Sequence, residues 1–445
     1  MAIIRQDSLF SWQQIDTLGD LQRLALVLGC LPDEALMTHL ERHRGRGRND
    51  YPIRAVWNSM LAGIVFEHRS IESLRRELSR NGQLRGLCGF DLAQGQEVVP
   101  GSWVYTRFLR LLLQHADQIE AMFDQLVEQL RRQLPGFGHL LALDGKAIPT
   151  HGRPRKRDDP KHVQPDGRRD LDADHGKKTY KGQRADGSLW EKTTSWFGYK
   201  LHLIVDADYE LPVAYEITQA STAEAPQGRA LIDQLRDRHP QLIEGCQALT
   251  ADKGFDDTKL HVQLWDELEI KPVIDIRNMW RDGEPTKLIA GQTNVVYNYR
   301  GEVSCHCPVT NRVHAMAYGG FEKDRQAHKY RCAAQHYGID CPGKSHCSVG
   351  TGSGQVRVPL SIDRRVFPPL ARSSHRWKQT YKKRTAVERV NSRIDGAYGF
   401  ERHFIRGLKK MKLRMGLSLM VMLAMALGRV RQQQEDRTRS LVRAA

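Results

Sequence analysis

Two apolar runs, each closing on an aspartate, constrain this chain more than any other feature. Residues 138–144 read Gly-His-Leu-Leu-Ala-Leu-Asp, and residues 247–252 read Gln-Ala-Leu-Thr-Ala-Asp. Runs so short and apolar are expected as buried strands. Between them, Tyr199–Asp206 and Leu211–Thr218 flank a short turn as an antiparallel hairpin, and a helix fits roughly 223–237. A helix and a further strand, Ile270–Ile276, follow the second aspartate. Alternating strands and helices of this kind belong to an α/β domain.

The flanks read differently. Up to about residue 135 the pattern is helical: Ile53, Val56, Trp57, Met60, Leu61 and Ile64 recur at helical spacing, with Pro52 opening the helix. Ser70 is placed to cap a helix that carries Leu74 and Leu78 inward. Pro100-Gly101-Ser102 launches another, with Val104, Phe108, Leu111 and Leu112 inward. Arg75, Arg76, Arg80, Arg107 and Arg110 then fall on outer faces, as a helix-turn-helix-like DNA reader or a merely solvated surface would place them. The polar tract from His151 to about Lys192 reads as a long loop. Residues 279–372, rich in glycine, cysteine and histidine, read as an insertion; a basic helix at about 376–395 and a last helix at about 408–432 follow. The expected division is a helical N-terminal domain, 1–134, and a catalytic domain, 135–435, with the insertion inside it. No signal-peptide core stands in Met1–Leu18, and the apolar stretch Leu417–Leu427 falls short of the ~20 residues a membrane span needs, so no membrane partner is expected.

Charge narrows the partner. Lys and Arg number 68 against 52 Asp and Glu, a net +16, and a chain this basic is drawn to a polyanion, nucleic acid first among them. From Arg376 to Arg414 there are 13 basic residues against 3 acidic ones. Arg389, Arg393 and Arg406 in this stretch are candidates for holding a phosphate backbone. Trp377, Tyr381 and Tyr398 are interleaved there, suited equally to stacking on an unpaired base and to core packing.

Three acids sit where chemistry favours them. Asp144 is followed by Gly145-Lys146, Asp252 by Lys253-Gly254, and Glu388 shares a helix face with Tyr381 and Arg384 at i, i+3, i+7 spacing. Three converging carboxylates hold two Mg²⁺ ions and leave positions open for phosphate oxygens and water. Singly, each is as well explained as a turn former, a cap or a solvated helix charge.

Together these strings resemble a known group. Leu143-Asp144-Gly145-Lys146, Gly198-Tyr199-Lys200-Leu201-His202, Ala251-Asp252-Lys253-Gly254-Phe255-Asp256 and Tyr381-x2-Arg384-x3-Glu388 are similar to the motifs of DDE transposases of bacterial insertion sequences. Asp50-Tyr51-Pro52 through Leu87-Cys88-Gly89-Phe90 is similar to the helical domain that precedes the catalytic one there. The resemblance implies an RNase H-like mixed sheet flanked by helices. It implies Mg²⁺, with Mn²⁺ able to substitute, on Asp144, Asp252 and Glu388. Water would cut the ends of a mobile element, and the freed 3′-OH would attack target DNA. Tyr381 and Arg384 would position the flanking phosphates, and Lys200 and His202 would line the channel. Partners would be double-stranded DNA, as terminal inverted repeats and target, and a second copy of the chain in a synaptic dimer, all in a bacterial cytoplasm at the nucleoid. A DNA-binding regulator descended from a transposase, or a nuclease that cuts without joining, are the alternatives. One position departs: Asp395 stands where many relatives carry a lysine, and it is expected to be peripheral.

Cys305, Cys307, Cys332, Cys341 and Cys347 crowd into the insertion, five of the chain's eight cysteines. Four thiolates suit a structural Zn²⁺, with Cys307, Cys332, Cys341 and Cys347 the candidate ligands. The spacing lacks a C-x2-C pair, so buried free thiols fit as well.

Overall fold

The computed structural model describes residues 18–45, 50–94, 96–154, 169–184 and 186–439. Its centre is a sheet whose strands are β1 (Leu140–Pro149), β2 (Asp174–Gln183), β3 (Leu189–Asp206), β4 (Leu211–Gln219), β5 (Ala248–Ala251) and β6 (Lys271–Ile274). β4, β3 and β1 are antiparallel neighbours, and β1, β5 and β6 run parallel, giving the order β4-β3-β1-β5-β6. This is the RNase H-like mixed sheet. β1, β3 and β5 are central and apolar, which is why they read as continuous hydrophobic runs.

β2 corrects the expectation of a loop from 151 to about 192. It pairs with the first half of β3 over Asp174↔Gly198 to Gln183↔Leu189, forming a hairpin that extends the sheet. From Leu189 to Ser195 every residue of β3 is exposed, so no alternation of apolar and polar side chains could announce it. Main-chain pairing holds it instead, with Thr179 and Thr193 hydroxyls 3.2 Å apart across the strands and Trp190 and Trp196 lying over Gly182 and Gly176 opposite. Residues 155–168 of the expected loop lie outside the described residues. Where the hairpin enters the sheet, Gly198 has φ +156°, and a Cβ there would collide with the carbonyl of Ile148.

The N-terminal helices include Gln22–Cys30, Ile53–Val65, Ile71–Arg80, Ser102–Leu112 and Ala116–Gln133. Ser70 caps its helix as expected, accepting from the amide of Ser73 at 3.1 Å. The last helix, Leu408–Arg431, is buried on nearly all sides, against helices Gln22–Cys30 and Ala116–Gln133 and against β4. It is long and apolar enough to cross a membrane, but here it forms the middle of one hydrophobic core running from Leu24 through Leu143 to Leu427. The N-terminal helices and the sheet therefore share a core rather than each having its own.

The insertion carries two small sheets. β7 (Lys287–Leu288), β8 (Val295–Tyr297), β9 (Val303–His306) and β10 (Val313–Ala315) make one; β11 (Ala317–Glu322), β12 (Ala327–Arg331) and β13 (Gln355–Pro359) make the other. They close on a separate core that includes Val295, Tyr330, Val358 and Phe367. The basic helix expected as one piece is two, His375–Lys382 and Thr385–Gly396. At the junction the Thr385 hydroxyl donates to the Lys382 carbonyl at 3.0 Å, and the amides of Ala386 and Val387 reach back only three residues. Such side-chain competition tightens the turn.

Candidate active site

The last parallel pair between β1 and β5 is Leu143↔Ala251, so Asp144 and Asp252 are the next residues on two adjacent strands. Neighbouring strands lie about 4.8 Å apart. Asp144 does not end its strand, as the sequence implied: β1 continues to Pro149 because its other partner, β3, is longer than β5. The parallel ladder stops there, and that is enough to open the edge at the acid. Asp252 leaves β5 as the cap of the turn Lys253–Phe255, its Oδ1 accepting from the Gly254 amide at 2.7 Å.

The two carboxylates burden each other. Burial first, and then the negative charge of Asp252, push the Asp144 carboxyl up to about 6, against the pull of the Gly145 amide, Lys178 and Arg384. Helix Thr385–Gly396 lies across β1. Asn391 Nδ2 donates to Asp144 Oδ2 at 3.5 Å, and Lys146 Nζ donates to Asp395 Oδ2 at 2.5 Å. Glu388, one turn before Asn391, shares that face, but it is half-exposed and accepts from Arg384 Nη2 at 2.7 Å. Asp144 and Asp252 are thus side by side, while Glu388 is turned to its own helix. Among the described residues no group of three or more His, Cys, Asp and Glu stands in metal-holding geometry.

A fourth carboxylate, missed in the sequence, joins them. Glu224 begins the helix Glu224–Arg238 and lies 3.6 Å from Lys200 Nζ. A Cβ on Gly145 would fall 3.0 Å from Glu224 Oε1, and one on Gly254 would fall 2.8 Å from Asp252 Oδ1 and closer still to Glu224 Oε2. The glycine following each aspartate was the available signal: both leave room for this side chain. Asn391 had no such signal.

Of the residues expected to contact DNA, Tyr381 stacks on the buried Trp377, centroids 4.7 Å apart and planes 11° from parallel. Arg384 lies over the Tyr381 ring at 5.7 Å. Tyr398 is buried, so it packs in the core, as does Trp377. Lys200 and His202 are buried in β3, the ammonium donating to the Thr222 carbonyl at 2.8 Å and the imidazole Nε2 lying 3.0 Å from Thr218 Oγ1. Both faces of β3 are covered at these positions, which leaves neither side chain a surface to offer. Arg389 reaches Glu210 at 2.8 Å, and Arg393 is turned to the carbonyl and carboxylate of the same residue. Arg406 is half-buried in the link to the last helix. Arg389 is nonetheless exposed, as are Arg376, Lys378, Lys382, Arg402, Lys409 and Lys410, among others. Cys307, Cys332, Cys341 and Cys347 line a cavity of the insertion to which none of these acids contributes.

Residues 135–424 match the family described as transposase DDE domain, a span that opens just before β1 and closes inside the last helix. A cryo-EM structure of a piggyBac transposase synaptic complex with hairpin DNA is similar at 11% identity, covering 96% of this chain and 77% of that one, with a TM-score of 0.38. No curated protein matches the chain.

Proposed function

This chain belongs to the transposase DDE domain family, and from that premise we propose that it cuts the ends of a mobile DNA element and joins the freed 3′ ends to target DNA, with Asp144, Asp252 and Glu388 holding Mg²⁺ or Mn²⁺. The observation that carries this reading is the placement of Asp144 and Asp252 at the open end of one parallel strand pair, faced by the helix that bears Glu388.

The residues fit a hard divalent cation. The donors are all carboxylate oxygens, and the burial and neighbouring charge that raise Asp144 are both offset by a bound cation. Glu388 would complete the set on releasing Arg384. When bound, such ions lower the pKa of the attacking water and stabilise the departing 3′ oxygen.

The chain's own groups do the rest. Asn391 holds its amide toward Asp144 at 3.5 Å, and Gly145 leaves space for Glu224 beside Asp252. Arg384, once freed from Glu388, supplies a planar pair of donors for a phosphate adjoining the cut. Tyr381, backed by Trp377, is a rigid surface for an end nucleotide. The exposed lysines and arginines between 376 and 410 hold the backbone on either side. Arg107 and Arg110, exposed on Ser102–Leu112, are the proposed readers of the terminal repeat. Joining two ends calls for two copies of the chain on DNA, acting at the nucleoid of a bacterial cytoplasm.

The test is to incubate purified protein with Mg²⁺, DNA bearing the element's ends and a target plasmid, then map the products. Nicks at the ends and joined 3′ strands are expected. Cutting without joining would leave a nuclease, and specific binding without cutting would leave a regulator.

A further inference from the structure

The insertion holds five cysteines that the cutting chemistry does not use, and the fold gathers them. Cys305 and Cys307 alternate along and just past β9, so both thiols leave it on one side. Cys332 follows β12 and caps the helix Ala333–Tyr337, and Cys341 and Cys347 come from the connection that leads back toward β13. All five line one enclosed cavity of about 20 Å³, room for a single atom-sized occupant. None is in a disulfide.

Hydrogen-bond donors surround three of these sulfurs unevenly. The hydroxyl and amide of Thr310 and the amides of Val309 and Gly343 face Cys307 Sγ. Gly343 also serves Cys341, and a Cβ on that glycine would lie 2.7 Å from Cys307 Sγ. Asn294 Nδ2 donates to Cys347 Sγ at 3.3 Å. Cys305 lies among the thiols of Cys332, Cys341 and Cys347. Amide donors aimed at sulfur suit the thiolate form that a cysteine takes as a metal ligand.

We propose that Cys307, Cys332, Cys341 and Cys347 bind one structural zinc ion that staples the two small sheets of the insertion together. Cys307 belongs to the first sheet and Cys332 to the second, and each sheet alone has only three or four short strands. Such small units rarely hold together on apolar burial alone, and a shared ion fixes their relation. The thiols surround the cavity without yet standing at coordinating positions. Taking up the ion therefore turns them inward, to sulfur–zinc distances of about 2.3 Å. The site is independent of the DNA-cutting reading.

The experiment is elemental analysis of the full chain, purified reduced and without chelator, followed by exchange to cobalt. About one zinc per chain is expected, with intense sulfur-to-cobalt absorption of a tetrahedral thiolate site. Cys305→Ser keeps both signals, whereas Cys332→Ser and Cys341→Ser lose them. Those two variants can fail to fold, so Asn294→Ala, which keeps every thiol, supplies the second arm: zinc affinity should fall about 10–100-fold. A well-folded wild-type chain that takes up no zinc when it is supplied overturns the proposal. So do disulfides among the five cysteines in the protein as purified, or unchanged zinc affinity in Cys332→Ser, Cys341→Ser and Asn294→Ala.

Discussion

Lys146 and Asp395 meet at 2.5 Å and tie strand β1 to the far end of the helix that carries Glu388. The pair is mostly shielded on the lysine side and about a third exposed on the aspartate side, so water weakens it without dissolving it. It sits two residues along β1 from Asp144 and one turn along the helix from Asn391. It is thus a spacer between the proposed metal-binding elements, not the peripheral residue the sequence led one to expect. Asp395→Asn should slow end cleavage several-fold with little change in melting temperature. The double variant Lys146→Asp, Asp395→Lys should recover part of the rate. Rates in the double variant no better than in the worse single one would mean that the pair does not set this spacing.

Asp144→Asn, Asp252→Asn and Glu388→Gln each remove one negative charge while keeping shape. Each should abolish cleavage and joining, by at least about a hundredfold, while DNA binding survives or tightens as phosphate repulsion falls. Product mapping on gels, beside filter or polarisation binding, separates the two effects. Wild-type cutting by any one variant removes that acid from the reaction.

The N-terminal arginines divide into two kinds. Arg107 and Arg110 are exposed, whereas Arg75 Nε donates to the Pro100 carbonyl at 2.8 Å and its guanidinium also reaches Glu72. Replacing Arg107 or Arg110 with Ala should weaken binding to element ends and lower the slope of log affinity against log salt by about 1 for each phosphate no longer neutralised. Arg75→Ala should instead lower the melting temperature and leave that slope alone.

His202 predicts an acid limit. Burial, reinforced by the Lys200 ammonium, depresses its imidazole from 6.5 to about 3. The unfolded chain takes up a proton below about pH 6.5 and the native one does not until about pH 3, so stability drains away as pH falls through that window. The loss is on the order of 5 kcal/mol across the whole range. Denaturant midpoints measured at several pH values should show it, and His202→Gln should flatten the curve.

Which parts were legible follows from what held each in place. Asp144 and Asp252 could be read because apolar strands announce themselves and the acid closes each run. Leu417–Leu427 could be read as core because it is apolar nearly throughout. The β2–β3 hairpin could not, since it is held by main-chain pairing between exposed side chains. Asn391 reaches the site from 247 positions away and local pattern carries no trace of it, whereas Glu224 left only the two glycines that make room for it. Arg389 and Arg393 are legible as cations, but a single buried-side acid, Glu210, engages both. Periodicity assigns a face; it does not name the partner waiting there.

The core shared by the N-terminal helices and Leu408–Arg431 sets an order of events during synthesis. Helices such as Gln22–Cys30 and Ala116–Gln133 leave the ribosome long before the helix they pack against exists. Until then their apolar faces must wait, uncovered or guarded by a chaperone. The same late helix braces β4, next to the strand that supports the acids. A ribosome-bound chain should therefore hold neither a finished DNA-reading surface nor a finished cutting centre, and both should mature together once translation has passed Arg431.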